Sequence, residues 1–289
     1  MSEREYPGAR LRRQMEAGTV MCPGAFNALV ARAVRQAGFE AVYISGGATA
    51  NAAGYPDVGL ISLTEMCRTI REVATASGLP VVVDADTGYG EVEMVHRTVS
   101  EYASAGAAAL HIEDQVFPKR CGHLDGKQLV STEHMVDKVR AASEARPHDS
   151  FIVIARTDAA SVVGLDEAID RGNRYREAGA DMIFPEGLTS EEDFARFAEA
   201  CPGLLLANMT EFGKTPMIGV DRYSEMGYDL VIYPVTMQRV AMAAVTERLA
   251  QLATDGSAAG FLDAMQTRAD LYDLLGYTPG NEWAFPPRP

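Results

Sequence analysis

Short apolar runs recur along the whole chain: Val20-Met21-Cys22, Ala41–Ile44, Pro80–Val83, Ala109–Ile112, Phe151–Ala155, Met182–Phe184, Leu204–Ala207 and Leu230–Tyr233. Each is too short for a helix, rich in Val, Ile or Leu, and apolar without alternation. That is the pattern of strands buried on both faces of a parallel sheet. Amphipathic stretches lie between them. In Leu165–Ala178, for example, Leu165, Ala168, Ile169 and Tyr175 mark an apolar face, and Asp166, Glu167, Arg171 and Glu177 a polar one. The junctions repeat as well. Gly38, Gly106, Gly179 and Gly227 each follow a helical stretch and precede an apolar run, which suits the left-handed helix stop that a Cβ penalises. Eight strands with intervening helices in roughly 250 residues, without a linker rich in Pro, Ser or Gly, predict an α/β chain folded as one (β/α)8 (TIM) barrel over residues 1–289. The segment 260–289 carries a helical pattern (Phe261, Met265, Leu271, Leu274, Leu275) and a Pro-rich tail. It reads as a C-terminal helical appendage that packs on a neighbour.

Composition agrees with a chain that buries a core: 289 residues, 47% hydrophobic and 23% charged. The 26 Lys and Arg stand against 40 Asp and Glu, a net charge of -14, with no basic stripe, so nucleic acid and anionic membrane surfaces are disfavoured as partners. A small anionic substrate remains compatible, because local charges in a cleft set its affinity. Cys22, Cys67, Cys121 and Cys201 are far apart and form no CxxC pair, which argues against a disulfide framework or structural zinc site and for a reducing cytoplasm. No window approaches the roughly 18 apolar residues of a membrane span, and Met1–Gln14 lacks the apolar region of a signal peptide.

In such a barrel the chemistry sits at the C-terminal ends of the strands. The residues there are polar: Ser45-Gly46-Gly47, Asp84 and Asp86, Glu113-Asp114, Arg156-Thr157-Asp158, Glu186, and Asn208 with Thr210 and Glu211. Asp84, Asp86 and Glu113, with Asp57 from a preceding loop, offer a hard divalent cation an all-oxygen site; alternatively they cap the following helices. Arg156 either clamps a carboxylate or pairs with Asp158 or Glu186. In Lys119-Arg120-Cys121-Gly122-His123 the flanking basic residues predict a lowered thiol pKa and proton exchange near neutrality, whereas Cys22, Cys67 and Cys201 read as buried structural thiols. His111 faces either the barrel interior or the helices. Gly46-Gly47 resembles an anion-cradling turn only loosely.

Taken together, VYISGG, VDADTGYG, LHIEDQ, PKRCGH, ARTDA, FPE, LLANMTEFGKTP, IYPVT and MQTRADLYD resemble the methylisocitrate lyase group of the isocitrate lyase and phosphoenolpyruvate mutase superfamily, in order from about Gly24 to Tyr277. KRCGH is the mark of the carbon–carbon lyase branch, since the phosphonomutases generally place Asn where Cys121 stands. The resemblance implies a barrel whose eighth helix is exchanged between subunits of a homotetramer, a dimer of helix-swapped dimers. It also implies a required Mg2+ (or Mn2+) and a mobile loop carrying the cysteine. It assigns Ser45, Gly46 and Gly47 to substrate carboxylate, Asp84 and Asp86 to the metal, and Asp57 and Glu113 to the metal's water shell. Cys121 becomes the acid/base, and Tyr43 its partner in handling the hydroxyl proton. Gly122 and His123 line the closed loop, and Arg156, Glu186, Asn208, Thr210 and Arg239 contact a small di- or tricarboxylate. Phe184, Ile232 and Pro234 resemble the set that leaves space for the extra methyl of 2-methylisocitrate, whose retro-aldol-type cleavage gives pyruvate and succinate. One methyl group carries only about 1 to 3 kcal/mol of discrimination, so minor isocitrate cleavage is expected.

Three departures bear on the substrate. After KRCGH the chain reads Leu124-Asp125-Gly126-Lys127, a variant that also resembles carboxyvinyl-carboxyphosphonate phosphorylmutase; Glu186 is followed by Gly187 where Ala is usual; and the terminal NEWAFPPRP has no counterpart. Isocitrate, dimethylmalate or malate-type cleavage, oxaloacetate hydrolysis and phosphonate chemistry are the alternatives within enzymes. A non-catalytic dicarboxylate-binding barrel is the alternative outside them, and it gives no use for the loop thiol.

Overall fold

The computed structural model of the protein describes residues 5–283. Along the chain the elements are α1 (Pro7–Ala17), β1 (Val20–Pro23), α2 (Ala28–Gln36), β2 (Val42–Ile44), α3 (Gly46–Ala52), α4 (Leu63–Ser77), β3 (Val81–Asp84), α5 (Val92–Ala105), β4 (Ala109–Glu113) and α6 (Thr132–Glu144). They continue with β5 (Ile152–Thr157), α7 (Leu165–Glu177), β6 (Met182–Pro185), α8 (Glu191–Ala200), β7 (Leu204–Asn208), α9 (Val220–Glu225), β8 (Leu230–Tyr233), α10 (Thr236–Asp255) and α11 (Arg268–Leu275). All strand pairs are parallel, in the order β1-β8-β7-β6-β5-β4-β3-β2. The two ends of that order meet at a bridge between Gly24 and Tyr43, where Ala25 N–H donates to the Tyr43 carbonyl at 2.8 Å. The result is a nearly closed (β/α)8 barrel, as the apolar runs predict.

Strand alternation sorts the side chains into two clusters. Val42, Ile44, Val81, Val83, Leu110, Ile112, Val153, Ala155, Ile183 and Leu205 join the helices in the outer core, whereas Tyr43, Val82, Ala109, Ile152, Ile154, Phe184, Leu206 and Ile232 fill the barrel. Most strands run one or two residues past the apolar run, so Asp84, Glu113, Arg156 and Asn208 are strand residues held by sheet hydrogen bonds rather than loop residues. Counting by two from the interior positions, Val82 leads to Asp84, Ala109 to His111 and Glu113, Ile154 to Arg156, Phe184 to Glu186 and Leu206 to Asn208. The inward register that packs the barrel therefore ends in one polar layer at its mouth.

Gly38, Gly106, Gly179 and Gly227 take φ of 88°, 107°, 109° and 88°, the left-handed stop expected of them. At the opposite end, α1 plugs the barrel. Leu11 and Met15 join the interior cluster, and Arg12 reaches Asp181 at 2.7 Å. This helix is missing from the sequence reading because its Arg-rich surface masks a narrow apolar stripe. Arg171, placed on the polar face of α7, is buried instead: its Nη1 donates to Asp114 at 3.1 Å and to the Val130 carbonyl at 3.1 Å. A guanidinium can cross an apolar layer when its donors find fixed acceptors.

The helix of the appendage makes contacts within its own chain. Arg32 donates to the Leu275 carbonyl at 3.1 Å and Gln36 to Asp273 at 3.0 Å, seating α11 on α2. Residues 284–289 of the Pro-rich tail lie outside the described residues. By contrast α10, the helix that follows β8, buries none of its residues and exposes Met237, Val240, Met242, Val245, Leu249 and Leu252. Among the described residues no helix is long and apolar enough to cross a membrane.

Candidate active site

A cavity of about 160 Å3 opens at the mouth. It is lined by Tyr43, Ser45, Gly47, Asp57, Asp84, Cys121, Gly122, His123, Arg156, Phe184, Glu186, Asn208, Thr210, Ile232, Pro234 and Arg239, all singled out from the sequence. Gly46, Asp86 and Glu113 stand behind this lining, Asn51 and Val235 are lining residues without a role in the sequence analysis, and Lys119, read there only as a neighbour of Cys121, lines the cavity too. A larger hollow of about 710 Å3, bordered by Leu60, Tyr89, Met94, Phe117 and Lys138, includes none of the predicted residues.

The β4–α6 loop closes over the cavity. Its base is fixed by a bridge between Gln115 and Leu129, by Val116 N–H donating to the Gln128 carbonyl at 2.8 Å, and by the Gln115 amide side chain holding both backbone groups of Arg120 at 2.9 Å. From the far wall, His123 Nε2 lies 2.9 Å from Glu186, and Lys214 N–H donates to His123 Nδ1 at 3.0 Å. Gly122 lies so close to the substrate wall that a Cβ there would stand 2.4 Å from Arg156 Nη2 and 2.5 Å from Glu186 Cγ. Only glycine lets the loop come down this far.

Arg156 and Glu186 are both buried. Burial opposes the Arg156 charge, but Asp158, Glu113 and Glu186 outweigh it and hold the guanidinium firmly protonated. Arg156 pairs with Asp158 at 2.9 Å, one of its two readings, and also lines the cavity. Glu186 is held below the usual carboxylate range, since Arg156 and the His123 hydrogen bond overcome its burial. Asn208 Nδ2 donates to Glu186 at 3.2 Å, while its buried Oδ1 accepts nothing. Arg239 is braced by Glu211 at 2.9 Å. His111 faces the interior, which settles its orientation: its Nε2 is 2.7 Å from the Tyr43 hydroxyl and its ring meets Phe184 edge-on. Burial pushes His111 down to about 4, so the ring is neutral at pH 7.

The acidic side differs from a bare carboxylate cluster. Lys119 Nζ lies 2.5 Å from Asp57 and 2.9 Å from Asp86, so the mouth carries its own cation. Asp84 accepts from the amides of Gly46 and Asp86, each at 3.0 Å. The Gly46 amide is thus engaged by Asp84, leaving Ser45 and Gly47 of that trio on the cavity. Among the described residues no three His, Cys, Asp or Glu side chains are already gathered around one point as ion ligands. A hard cation nevertheless suits the donors present. Both Glu113 oxygens and Asp86 Oδ1 are buried and have charge partners rather than well-formed hydrogen bonds, Lys119 Nζ 2.9 Å from Asp86 and Arg156 Nε 3.3 Å from Glu113, and burial still pushes Asp86 up to about 6 and Glu113 well above the usual carboxylate range. Buried oxygens whose desolvation outweighs the cations beside them gain from a divalent ion.

The amino-acid sequence matches the family described as phosphoenolpyruvate phosphomutase over residues 10–253. The chain belongs to that family. It is 52% identical over 260 residues to a Corynebacterium glutamicum protein named "Probable 2-methylisocitrate lyase 1", covering 90% of this chain and 85% of that one. It is 49% identical to the 2-methylisocitrate lyase of Aeropyrum pernix, covering 94% and 88%. In three dimensions it resembles the crystal structure of 2,3-dimethylmalate lyase, described as a PEP mutase/isocitrate lyase superfamily member, with a TM-score of 0.88, 39% identity and coverage of 94% and 92%. Phosphonopyruvate hydrolase in complex with oxalate and Mg++ superposes with a TM-score of 0.85 at 30% identity, covering 94% and 95%.

One expectation about this family member is overturned. Burial, the largest influence, raises the Cys121 thiol above its ordinary value, with Asp57 and Glu186 adding to it. The sequence neighbours expected to lower it point elsewhere: Lys119 to Asp57 and Asp86, Arg120 to the Asp125 carbonyl. Cys121 is therefore a thiol, not a thiolate, at neutral pH. Cys22, Cys67 and Cys201 are buried, as expected of structural thiols.

Proposed function

We propose that this family member cleaves the C2–C3 bond of 2-methylisocitrate to pyruvate and succinate. The observation that carries the reading is one cavity lined by the loop thiol of Cys121, the Arg156 guanidinium and the acidic mouth. Relatives of nearly full length bearing that name support the substrate.

Asp84 and Asp86 would hold Mg2+ or Mn2+, with Asp57 and Glu113 accepting hydrogen bonds from its waters. The ion supplies positive charge beside the hydroxyl and carboxylate of the pyruvate half when bound. Ser45 and the Gly47 amide, at the start of α3, take a substrate carboxylate. The substrate hydroxyl gives its proton to Tyr43, whose own hydroxyl hydrogen passes to neutral His111 2.7 Å away. The C2–C3 electrons then leave on the succinate half as an enolate, and C2 becomes the pyruvate ketone. Arg156 and His123 face that developing negative charge, and the Cys121 S–H protonates the enolate carbon, leaving a thiolate. The shut loop excludes water that would otherwise quench the enolate. A raised thiol pKa suits this direction, because cleavage starts from the protonated form. Phe184, Ile232 and Pro234 bound the space for the C2 methyl. Arg239, with Asn208 and Thr210, anchors the distal carboxylate.

The apolar outward face of α10 supports exchange of this helix between subunits of a homotetramer, measurable by light scattering as four times the chain mass; a monomer in solution would dismiss it. The absence of a pairing pattern among the cysteines supports a reducing, cytoplasmic location. The activity itself is tested by incubating purified protein and Mg2+ with 2-methylisocitrate, isocitrate, 2,3-dimethylmalate, oxaloacetate and phosphonopyruvate, and reading products by mass. Pyruvate and succinate from the first, faster than from any other substrate, is the expected result. Faster turnover of another member of the panel would replace the substrate, and no turnover of any would refute catalysis.

A further inference from the structure

The β4–α6 loop brings a second ammonium into the site, and none of the steps above uses it. Lys127 has a side chain only 1% exposed; its Nζ donates to Asp158 Oδ1 at 2.9 Å and to the Gly122 carbonyl. Asp158 is fully buried at the end of β5, and its amide is fixed on Asp114 Oδ1 at 2.9 Å. The same carboxylate takes Arg156 Nε on Oδ2 at 2.9 Å and Arg156 Nη2 on Oδ1 at 3.1 Å. One immobile carboxylate thus receives both the guanidinium that faces the substrate and an ammonium delivered by the closing loop. Through its second hydrogen bond, that ammonium also grips the residue next to Cys121.

We propose that Lys127 is a positioning residue: it locks the loop shut by tying the backbone beside Cys121 to the carboxylate that orients Arg156, so the acid and the anion clamp are set in place together. This rests on the roles given above to Cys121 and Arg156. The other ties between loop and barrel are of a different kind. Lys214–Asp125 spans 2.6 Å at the surface, where water and salt weaken it, and His123–Glu186 fixes the loop tip without touching Asp158. Lys119–Asp86, at 2.9 Å, is withdrawn from solvent as well but holds the acidic side of the mouth, whereas the Lys127 pair alone among these ties reaches Asp158, and losing it leaves a buried carbonyl without that donor and a buried carboxylate short of one cation. The geometry also accounts for the Leu-Asp-Gly-Lys departure, since Gly126 turns the chain at φ 81° and so returns Lys127 beneath the loop.

The test uses Lys127→Met and Lys127→Arg in the ligand-free full chain, with iodoacetamide alkylation of Cys121 followed by peptide mass. Cys22, Cys67 and Cys201 are at most 3% exposed and stay silent. Access controls thiol reactivity as much as ionisation does, so Lys127→Met is expected to speed alkylation at least about tenfold and Lys127→Arg to restore most of the protection. In turnover, kcat falls at least about tenfold in Lys127→Met with KM much less changed, because the acid is misplaced rather than the substrate released. Should Lys127→Met not fold, Lys127→Gln carries the same expectation for alkylation, its amide being able to bond Gly122 but not to neutralise Asp158. A folded Lys127→Met or Lys127→Gln protein whose Cys121 reacts at the wild-type rate overturns the proposal. Faster alkylation in a protein that cleaves none of the panel upholds Lys127 while removing the proposed function; unchanged alkylation and turnover in an active enzyme does the reverse.

Discussion

Cys121→Ser is expected to lower turnover of 2-methylisocitrate by at least about 10²-fold, the low end of a general acid's contribution, with KM much less affected. Serine nearly matches the volume of cysteine and leaves Gly122 free to approach Arg156 and Glu186, so the loop still closes. What changes is the donor, since an alcohol is a weaker acid than a thiol by several pKa units and proton delivery to the enolate becomes slow. The raised thiol adds a pH signature. Wild-type cleavage should persist at neutral pH, where the thiol is fully protonated, and decline only as the pH climbs through a value above that of an ordinary thiol. The serine variant should lack that alkaline limb. Steady-state rates from pH 6 to 10 on both proteins decide the matter. A serine variant that retains more than half the wild-type rate, with the same alkaline limb, would show that Cys121 only fills space.

Chelation should have an effect at least as large. Lewis-acid stabilisation of several kcal/mol, at about 1.36 kcal/mol per factor of ten, corresponds to a loss of roughly 10³-fold on treatment with EDTA, reversed by Mg2+. Asp86→Ala should mimic chelation with the fold retained, because its carboxylate sits behind the cavity rather than in the apolar core. The sign of the pH effect follows from burial, which lifts Asp86 to about 6. A proton and the ion compete for that carboxylate, so Mg2+ affinity should be full above this value and weaken as the pH falls through it. Calorimetric titration of Mg2+ at pH 5 and pH 8 measures this without reference to turnover. Full activity in metal-free protein, or Mg2+ affinity indifferent to Asp86→Ala, would remove the ion from the reaction.

The barrel and most of its mouth are legible in the amino-acid sequence for a local reason. A strand covered on both faces must be apolar throughout, and the first polar residue at its C-terminal end is where the cover stops; hence Asp84, Glu113, Arg156 and Asn208 declare themselves by position alone. The glycines at 38, 106, 179 and 227 are as plain, because the left-handed stop is a property of one residue. The cavity residues carried over from the family pattern, from Tyr43 to Arg239, converge because each is pinned to a strand end or to the loop beside it.

What the chain order hides is which charge meets which. Lys119 and Arg120 adjoin Cys121 and read as its activators, yet their partners are Asp57, Asp86 and the Asp125 carbonyl, and the thiol pKa rises instead of falling. Lys127 is anonymous among surface-type lysines until the loop folds it onto Asp158. His111 has two faces available to it until the register of β4 turns it onto Tyr43. The physical reason is common to all three. Periodicity and turn preference act over a few residues and can be read along the chain, whereas the energy of a buried charge depends on its desolvation and on partners tens of residues away, and only the closed tertiary structure sets those.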